Sequence, residues 1–263
     1  MGTSTYEGKG NVHVDMTRSV TLPFHKEIAR LVCKRSDKDS RIIDIGCGMG
    51  QIEGEVLRMS PDLRIDVADA YPACIEATAN HGNVNRTFLI DEIGFDVASV
   101  VSPEYDIAIM SHVLEHLVFP AKALEDVFSV LRPGGVIVVA VPNPVRPSVF
   151  LSNLFKFHYV NRGHVHCWDR SHWQNFLERI MGYEVLEYST DFVQLPFCTR
   201  FSALRTAGEV MVKVAPWWGF SNIAVITRRT GTDSVYARWS ASLGDRAADG
   251  EPRKADASED RTA

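Results

Sequence analysis

An acid and three glycines form the stretch of this sequence best suited to binding a ligand. Asp44 precedes Gly46, Gly48 and Gly50 in RIIDIGCGMGQIEGEV. Glycine lets a backbone approach a ligand closely, and a helix that starts after such a turn offers unpaired N–H groups. A strand, a glycine-rich turn and a helix in this order are typical of nucleotide sites. The spacing departs from the dinucleotide fingerprint G-x-G-x-x-G, because Gln51 stands where its last glycine would fall.

A second acid follows at the end of the next apolar stretch, IDVADAYP. An acid at this strand end can accept hydrogen bonds from both hydroxyls of a ribose, which makes Asp69 the candidate. Asp66 competes for that role but lies inside the predicted strand. Tyr71 comes two residues later, where its ring would cover the adenine or the ribose.

Histidines are concentrated in two segments, SHVLEH at 111–116 and GHVHCWDRSHW at 163–173. A histidine whose pKa lies near neutrality is suited to proton transfer. The second segment, with an H-x-H pair beside Cys167, also invites a metal hypothesis. A catalytic metal there would need a carboxylate from elsewhere, and the sequence identifies none. We therefore expect no metal site.

The elements that position these residues alternate between helix and strand. Apolar periodicity and the proline, glycine and polar residues at their ends predict helices over 23–35, 51–59, 72–80, 120–131 and 169–182. Short, β-branched runs predict strands over 41–45, 63–69, 86–90, 105–110, 136–141, 183–189 and 222–229. This alternation predicts an α/β fold, a doubly wound, mostly parallel seven-stranded sheet with helices on both faces. Ligands bind such sheets at the carboxyl ends of the strands.

Composition limits the classes of partner. The 263 residues carry a net charge of −5, which provides no broad basic field and argues against nucleic acid. No apolar run approaches the ~18–20 residues that span a bilayer. The five cysteines are scattered and lack a CxxC pair, which predicts a reduced, cytoplasmic protein. The sequence predicts no oligomeric state.

The order of these pieces resembles the class I S-adenosylmethionine-dependent methyltransferases. The resemblance rests on DIGCGMG, on the strand-end Asp69, and on YDIAIMSHVLEHL followed by LRPGGVIVVAV, and it covers about residues 24–230. Within this family, the chain resembles small-molecule O-methyltransferases of the ubiquinone-biosynthesis-like and natural-product kind. Such enzymes have a Rossmann-like methyltransferase fold and use S-adenosyl-L-methionine, which leaves as S-adenosyl-L-homocysteine.

The resemblance also implies contacts with that cofactor. The motif acid helps to bind the ammonium group, the glycine turn lies under the amino-acid end, and an acid after the third strand contacts the adenine amino group. Matching positions give the cofactor-binding set Asp44, Gly46, Cys47, Gly48, Gly50, Asp69, Ala70, Tyr71, Asp91, Glu92, Ser111, His112 and His116. A carboxylate is favourable beside a cofactor that carries an ammonium and a sulfonium. Beside the negative charges of a pyrophosphate, a carboxylate would be unfavourable.

The domain organisation follows from the same reading. Residues 1–22 are predicted to be a flexible arm or lid, and 23–232 a methyltransferase domain. Insertions at about 146–168 and 195–220 are predicted to shape the acceptor pocket, the first as a lid over an apolar or aromatic acceptor, in preference to packing on the sheet or a peripheral membrane contact. Residues 233–263 are predicted to be a largely disordered tail, because from Gly244 onward they lack large apolar residues.

The predicted function is methyl transfer to a hydroxyl of a small-molecule acceptor such as a sugar, a phenol or another secondary metabolite. The acceptor, the methyl carbon and the sulfur must lie in line, and a histidine takes the hydroxyl proton. His164, His166 and His112 are the candidate bases. Alternatives are N- or C-methylation, a non-catalytic protein that binds S-adenosylmethionine as a partner of another subunit, and a dehydrogenase.

Overall fold

A computed structural model describes residues 5–7, 13–15, 21–91, 95, 97–102, 104–155, 163–195, 198, 200–229 and 234–249. Within the predicted arm, β1 (Thr5–Glu7) and β2 (His13–Asp15) pair as a short antiparallel ribbon. The rest of the described chain forms one sheet with helices on both faces.

The sheet contains seven strands, most of them parallel. They are β3 (Ile42–Ile45), β4 (Ile65–Asp69), β5 (Val84–Leu89), β6 (Tyr105–Ser111), β7 (Leu131–Pro142), β8 (Glu184–Ser189) and β9 (Ser221–Thr227). Their order is β5-β4-β3-β6-β7-β9-β8, and β9 runs antiparallel to both of its neighbours. The predicted fold class is therefore confirmed.

The helices connect these strands. They are α1 (Pro23–Arg35), α2 (Gln51–Met59), α3 (Pro72–Ala79), α4 (Val97–Val100), α5 (Pro120–Ser129), α6 (Pro147–Phe155), α7 (Arg170–Asn175), α8 (Ser202–Val214) and α9 (Val235–Asp249). Proline opens α1, α3 and α5, where its missing N–H would be unpaired in any case. A π-helical segment, Phe176–Ile180, continues α7, and a 3-10 turn, Leu114–His116, follows β6.

The central strands are buried on both faces, as expected for a parallel sheet. Along β6, Ile107 and Ile109 point into one hydrophobic core, and Ala108 and Met110 point into the other. This alternation fixes which residues emerge at the carboxyl end of each strand, because a shift of one residue would exchange the two faces.

The sheet reverses its winding direction between β3 and β6. From β3 the chain proceeds outward to β4 and β5, and it then returns to β6 on the other side of β3. A crevice opens at such a switch point, beyond the carboxyl ends of the strands. Asp44 lies near the end of β3, and Ser111 ends β6. Two of the predicted site segments therefore meet at this crevice.

The end of the described chain differs from the predicted tail. Helix α9 occupies Val235–Asp249, where the sequence predicted disorder. The physical reason lies in its first turns, since Tyr236 packs against the core and its ring centroid lies 5.8 Å from that of Trp239. Residues 250–263 of the predicted tail lie outside the described residues.

One ion-pair cluster ties α1 to the sheet edge. Glu187 on β8 accepts from Lys34 at 2.9 Å and from Arg35 at 2.6 Å. Hydrogen bonds from Arg35 and then Lys34 lower the pKa of Glu187 to about 2, although burial opposes them. A carboxyl group whose pKa is lowered by folding stabilises the folded protein at pH values above the carboxyl's ordinary pKa. This contribution is lost as the pH falls toward 2.

We expect Glu187→Gln to lower the free energy of unfolding by about 1 kcal/mol at pH 7, after allowance for screening by solvent. The difference from the unsubstituted protein should narrow as the pH falls below 4.5. Urea denaturation between pH 7 and pH 3.5 measures both effects. Glu184→Gln, at an exposed position of the same strand, is the matched control. If the loss in free energy of unfolding did not change with pH, the stabilising effect of Glu187 could not be assigned to ion pairing.

Candidate functional site

Glycine occupies the three positions of the turn after β3 for different structural reasons. All adopt left-handed backbone, with φ of +84° at Gly46, +55° at Gly48 and +77° at Gly50. A Cβ at Gly46 would overlap Val113, and a Cβ at Gly50 would overlap the His81 ring. A Cβ at Gly48 would meet nothing within 4 Å. Gly46 and Gly50 therefore serve protein packing, whereas Gly48 borders open space that a ligand can enter.

Asp69 holds this turn in place. Its Oδ2 accepts the Gly48 N–H at 2.9 Å, and its Oδ1 accepts the Tyr71 N–H at 2.9 Å. Thr78 adds a hydrogen bond to the Gly48 carbonyl at 2.9 Å. Each carboxylate oxygen can accept a further hydrogen bond, so the same side chain can also receive ribose hydroxyls. Asp66, the competing acid, instead accepts from Arg86 and Tyr105.

Beneath the turn, Asp44 forms a buried pair with Glu53 of α2. Both side chains are fully buried, and among the described residues no hydrogen-bond donor reaches any of their four carboxyl oxygens. Burial, and then the charge of Glu53, raises the pKa of Asp44 well above its usual range. Burial likewise raises the pKa of Glu53 to about 7. The pair therefore holds at least one proton near neutral pH.

Sequence analysis missed Glu53. A signal was present, because Glu53 lies between Ile52 and Val56 on the apolar side of a short helix. A carboxyl at such a position is unexpected unless something buried requires it.

The residues predicted to surround the nucleoside follow β4 and β5. Tyr71 is buried and Ala70 half-buried just after Asp69. Asp91 is exposed beyond β5, and its carbonyl accepts the Phe95 N–H at 3.0 Å. Glu92 lies outside the described residues. The structure thus brings the ends of β3 and β4 together at the turn.

His112 begins the loop after β6 in a strained conformation. Its φ is +58°, a left-handed value that is uncommon for a side chain other than glycine and is concentrated at functional sites. Its Nε2 lies 2.9 Å from Ser221 Oγ. The ring centroid lies 4.7 Å from that of Phe24 and 5.8 Å from that of Phe220. The preceding Ser111 hydroxyl is buried with no hydrogen-bond partner among the described residues.

Three histidines converge on the carboxylate of Glu115. Oε1 lies 3.5 Å from His112 Nδ1, 3.9 Å from His116 Nε2 and 4.0 Å from His164 Nε2. Glu115 itself is 1% exposed. We call these four residues the Glu115 cluster. It lies at the carboxyl end of β6, next to the glycine turn that Val113 contacts.

Backbone hydrogen bonds hold the two segments of the cluster together. The Glu115 carbonyl accepts the N–H groups of Val165 at 2.7 Å and His166 at 3.1 Å. His116 Nδ1 lies 2.9 Å from the Gly163 carbonyl oxygen. Because a carbonyl only accepts, Nδ1 carries the hydrogen in this contact, and Nε2 is the ring nitrogen that faces Glu115.

The charges in the cluster favour an ionised acid beside a neutral base. Burial raises the pKa of Glu115, but the hydrogen bond from His112 and the charges of His112 and His116 outweigh it, so the net shift is downward. The pKa of His164 is lowered, mainly by burial, although the charge of Glu115 opposes this. His164 is therefore unprotonated at neutral pH and is able to accept a proton.

His166, the remaining candidate base, lies apart from the cluster. Its Nε2 is 3.4 Å from the Val118 carbonyl oxygen, and its ring stacks on Trp168 with the centroids 5.2 Å apart. His172 pairs at 2.6 Å with Asp169 at the start of α7. The structure thus brings His112, His116 and His164 together and leaves His166 at the margin.

The cluster also bears on the expected absence of a metal. The ligand atoms of Glu115, His116 and His164 lie within 4.8 Å of one another. Glu115 therefore supplies the carboxylate that sequence analysis could not identify. The absence of a metal stays a prediction.

The predicted acceptor-pocket insertions form α6 and α8. Several large apolar side chains on them are exposed, namely Phe150, Leu151, Leu154, Phe155, Val210 and Val214. The guanidinium carbon of Arg146 lies 4.1 Å from the centroid of the Phe220 ring beside His112. Within the described ranges, no helix combines the length and apolar character needed to cross a bilayer.

A family model described as a methyltransferase domain matches residues 16–188. The chain belongs to this methyltransferase family. The resemblance found in the sequence, and with it the S-adenosylmethionine cofactor class, is therefore confirmed at the level of the family. The observations on this chain agree, since Gly48 leaves room for a ligand and buried carboxyl groups suit its cationic end.

Two named relatives are similar in sequence to part of this chain. A malonyl-[acyl-carrier protein] O-methyltransferase of Paenibacillus is 23% identical over 52% of this chain and 51% of its own. A ubiquinone biosynthesis O-methyltransferase of Psychrobacter cryohalolentis is 27% identical over 46% of this chain and 48% of its own. The chain thus spans about half the length of these relatives. A solved methyltransferase of Archaeoglobus fulgidus shares the fold, with a TM-score of 0.52 and 19% identity over 77% of this chain and 91% of that one.

We expect Gly48→Ala to weaken binding of S-adenosylhomocysteine at least tenfold, because the new Cβ enters the space left for the ligand. The left-handed φ at this position should cost only about 1 kcal/mol of stability. Titration calorimetry and thermal unfolding measure the two effects. Gly82→Ala, whose Cβ also meets nothing within 4 Å, is the control. Undiminished binding would show that the ligand does not approach Gly48.

Proposed function

We propose that this methyltransferase moves the methyl group of S-adenosylmethionine to a hydroxyl of a small-molecule acceptor, with His164 as the general base. The observation that carries the proposal is the Glu115 cluster, in which a histidine of lowered pKa lies 4.0 Å from a buried, ionised carboxylate at the switch-point crevice. The names of the partial relatives, both O-methyltransferases, also favour oxygen as the acceptor atom.

The chain's own residues would hold the cofactor in three places. Asp44, beneath the turn, would bind the ammonium group, Gly48 would leave room for the amino-acid end, and Asp69 would accept hydrogen bonds from the ribose hydroxyls. When bound, S-adenosylmethionine supplies an activated methyl group. The protein contributes alignment of the acceptor with that methyl and exclusion of water, so much of the rate gain comes from positioning.

His164 takes the proton as the acceptor oxygen attacks. The imidazolium that forms is stabilised by the nearby Glu115 carboxylate, which is largely shielded from solvent. His112, held by Ser221, and His116, held by the Gly163 carbonyl, lie near the same Oε1 of that carboxylate. An unprotonated amine acceptor would depend less on such a base, so the histidine variants also distinguish O- from N-methylation.

Cofactor binding is the first test of the function. We expect S-adenosylhomocysteine to bind with micromolar affinity in calorimetry and Asp69→Ala to abolish detectable binding. Asp62→Ala, at an exposed position before β4, is the control. Because Asp69 also anchors Gly48, thermal unfolding must show that the variant is folded. A folded, ligand-free protein that bound NAD instead would support a dehydrogenase.

The base is tested once an acceptor has been found by screening. We expect His164→Gln to lower turnover by about 100-fold or more while cofactor affinity is unchanged. The unsubstituted enzyme should gain activity as the pH rises through a pKa below 6.5 and should be insensitive to pH above it. His172→Gln, which alters an exposed histidine outside the cluster, is the matched control.

Two outcomes would revise this mechanism. Full turnover in His164→Gln would exclude His164 as the base and direct attention to His112. Loss of turnover on chelation, restored by a divalent cation, would assign activation of the hydroxyl to a metal at Glu115, His116 and His164. Cofactor binding with no turnover on any acceptor would favour the non-catalytic alternative.

A further inference from the structure

The pair formed by Asp44 and Glu53 has no counter-charge among the described residues. Both side chains are fully buried, and no donor in the described chain reaches their oxygens. Two adjacent carboxylates cannot both ionise in such a place unless a cation joins them, since desolvation and mutual repulsion act in the same direction. The pair must hold a proton or bind a cation.

The surroundings of the pair reinforce this requirement. Asp69 of β4 is a third carboxyl group beside the pair, and its charge raises the pKa of both Asp44 and Glu53. Cys47, in the turn itself, is buried, and burial strongly raises its thiol pKa, so it remains neutral. His81, beyond α3, packs against Gly50 and Gly54 at the start of α2. Asp69 thus adds negative charge beside the pair, and the neutral Cys47 thiol does not offset it.

The position of the pair indicates which cation would reach it. Asp44 is two residues before Gly46, near the carboxyl end of β3, and Glu53 lies in the first turn of the helix that follows the glycines. The open space over Gly48 adjoins the same turn. A ligand lying on the turn would bring its cationic end to this acidic site.

We propose that Glu53 is a positioning residue of the cofactor site, which holds the Asp44 carboxyl by a shared proton that the ammonium group of the bound cofactor displaces to solvent. The inference rests on the proposed function, because it takes S-adenosylmethionine or its product as the ligand on the turn. In this proposal, Glu53 controls the exchange of the shared proton for the cationic end of the ligand.

The proposal gives cofactor binding a definite pH dependence. The ligand must displace a proton at low pH, so its affinity rises with pH over the range in which the Asp44–Glu53 pair loses that proton. Below that range the gain approaches a limit of tenfold per pH unit for one proton released. The ligand's amine is protonated throughout at pH 6.5 and releases none.

Calorimetric titration of the full chain with S-adenosylhomocysteine measures the exchange directly. At pH 6.5, runs in buffers of different ionisation enthalpy give the protons released per ligand bound, and we expect roughly 0.5–1. Glu53→Gln should release fewer protons, because the substitution removes the charge of Glu53 and provides an amide donor, and both changes lower the pKa of Asp44. Its affinity should also vary less between pH 6 and pH 8.

Two variants control for nearby groups. Glu55→Gln makes the same chemical change on the same helix, at a carboxyl paired with Arg58 at 2.7 Å, and it should release as many protons as the unsubstituted protein. His81→Asn removes the imidazole packed on the turn and should leave the proton count unchanged.

The possible failures are distinguishable. No binding by the unsubstituted protein even at pH 8 would reject the proposed function itself. Binding without proton release, or equal release by Glu53→Gln, would overturn the role of Glu53 and leave the function standing. If Glu53→Gln does not fold, the proton count and the pH dependence of the unsubstituted protein still decide whether the exchange occurs.

Discussion

Burial of the Glu115 carboxylate is the constraint on which this end of the sheet depends. An ion removed from water must have opposite charge or donors close by. His112 and His116, at 3.5 and 3.9 Å, lower the pKa of Glu115 and favour its ionised form, and His164 approaches the same oxygen to 4.0 Å from a segment far away in sequence. The chain from 163 to 166 must therefore lie against the turn after β6, and the Glu115 carbonyl secures it by accepting two N–H groups. Compensation of one charge thus brings a separate part of the chain to the crevice.

The contact between Val113 and Gly46 connects two acidic sites of opposite character, because Val113 precedes Glu115 by two residues and Gly46 follows Asp44 by two. The Glu115 carboxylate lies among imidazoles, whereas the Asp44–Glu53 pair lies among further acids. Val113 links them, because its side chain fills the space where a Cβ of Gly46 would be. One side of the crevice thus attracts a cation, and the other can accept a proton and stabilise the resulting positive charge. A cationic methyl donor and a hydroxyl acceptor match that division.

Much of the fold is readable from local pattern, because strands buried on both faces form unmistakable apolar runs such as VIVVAV. The insertion of β9 between β7 and β8 is not readable in this way, since it depends on pairing between distant strands. Helix α9 was missed because composition after Gly244 outweighed the aromatic residues before it.

The site residues also divide into those that local sequence pattern predicts and those that depend on contacts between distant segments. Asp69 and the glycines follow from their positions at strand ends, and Gly48 is where the structure leaves space. The convergence of three histidines on Glu115 depends on tertiary packing, which the spacing that made both His164 and His166 candidates does not show. Glu53 was overlooked because its partner is visible only when α2 is laid against β3.

The left-handed backbone of His112 has a consequence for how this site can vary. Among residues with side chains, asparagine and aspartate adopt that conformation most readily, so a substitution there alters the loop's preferred geometry as well as its chemistry. Alanine at position 112 would remove an imidazole and also favour a different path for the chain toward Glu115. Comparison among alanine, asparagine and glycine would separate these two contributions, and natural variation at this position should be limited by backbone shape before it is limited by proton transfer.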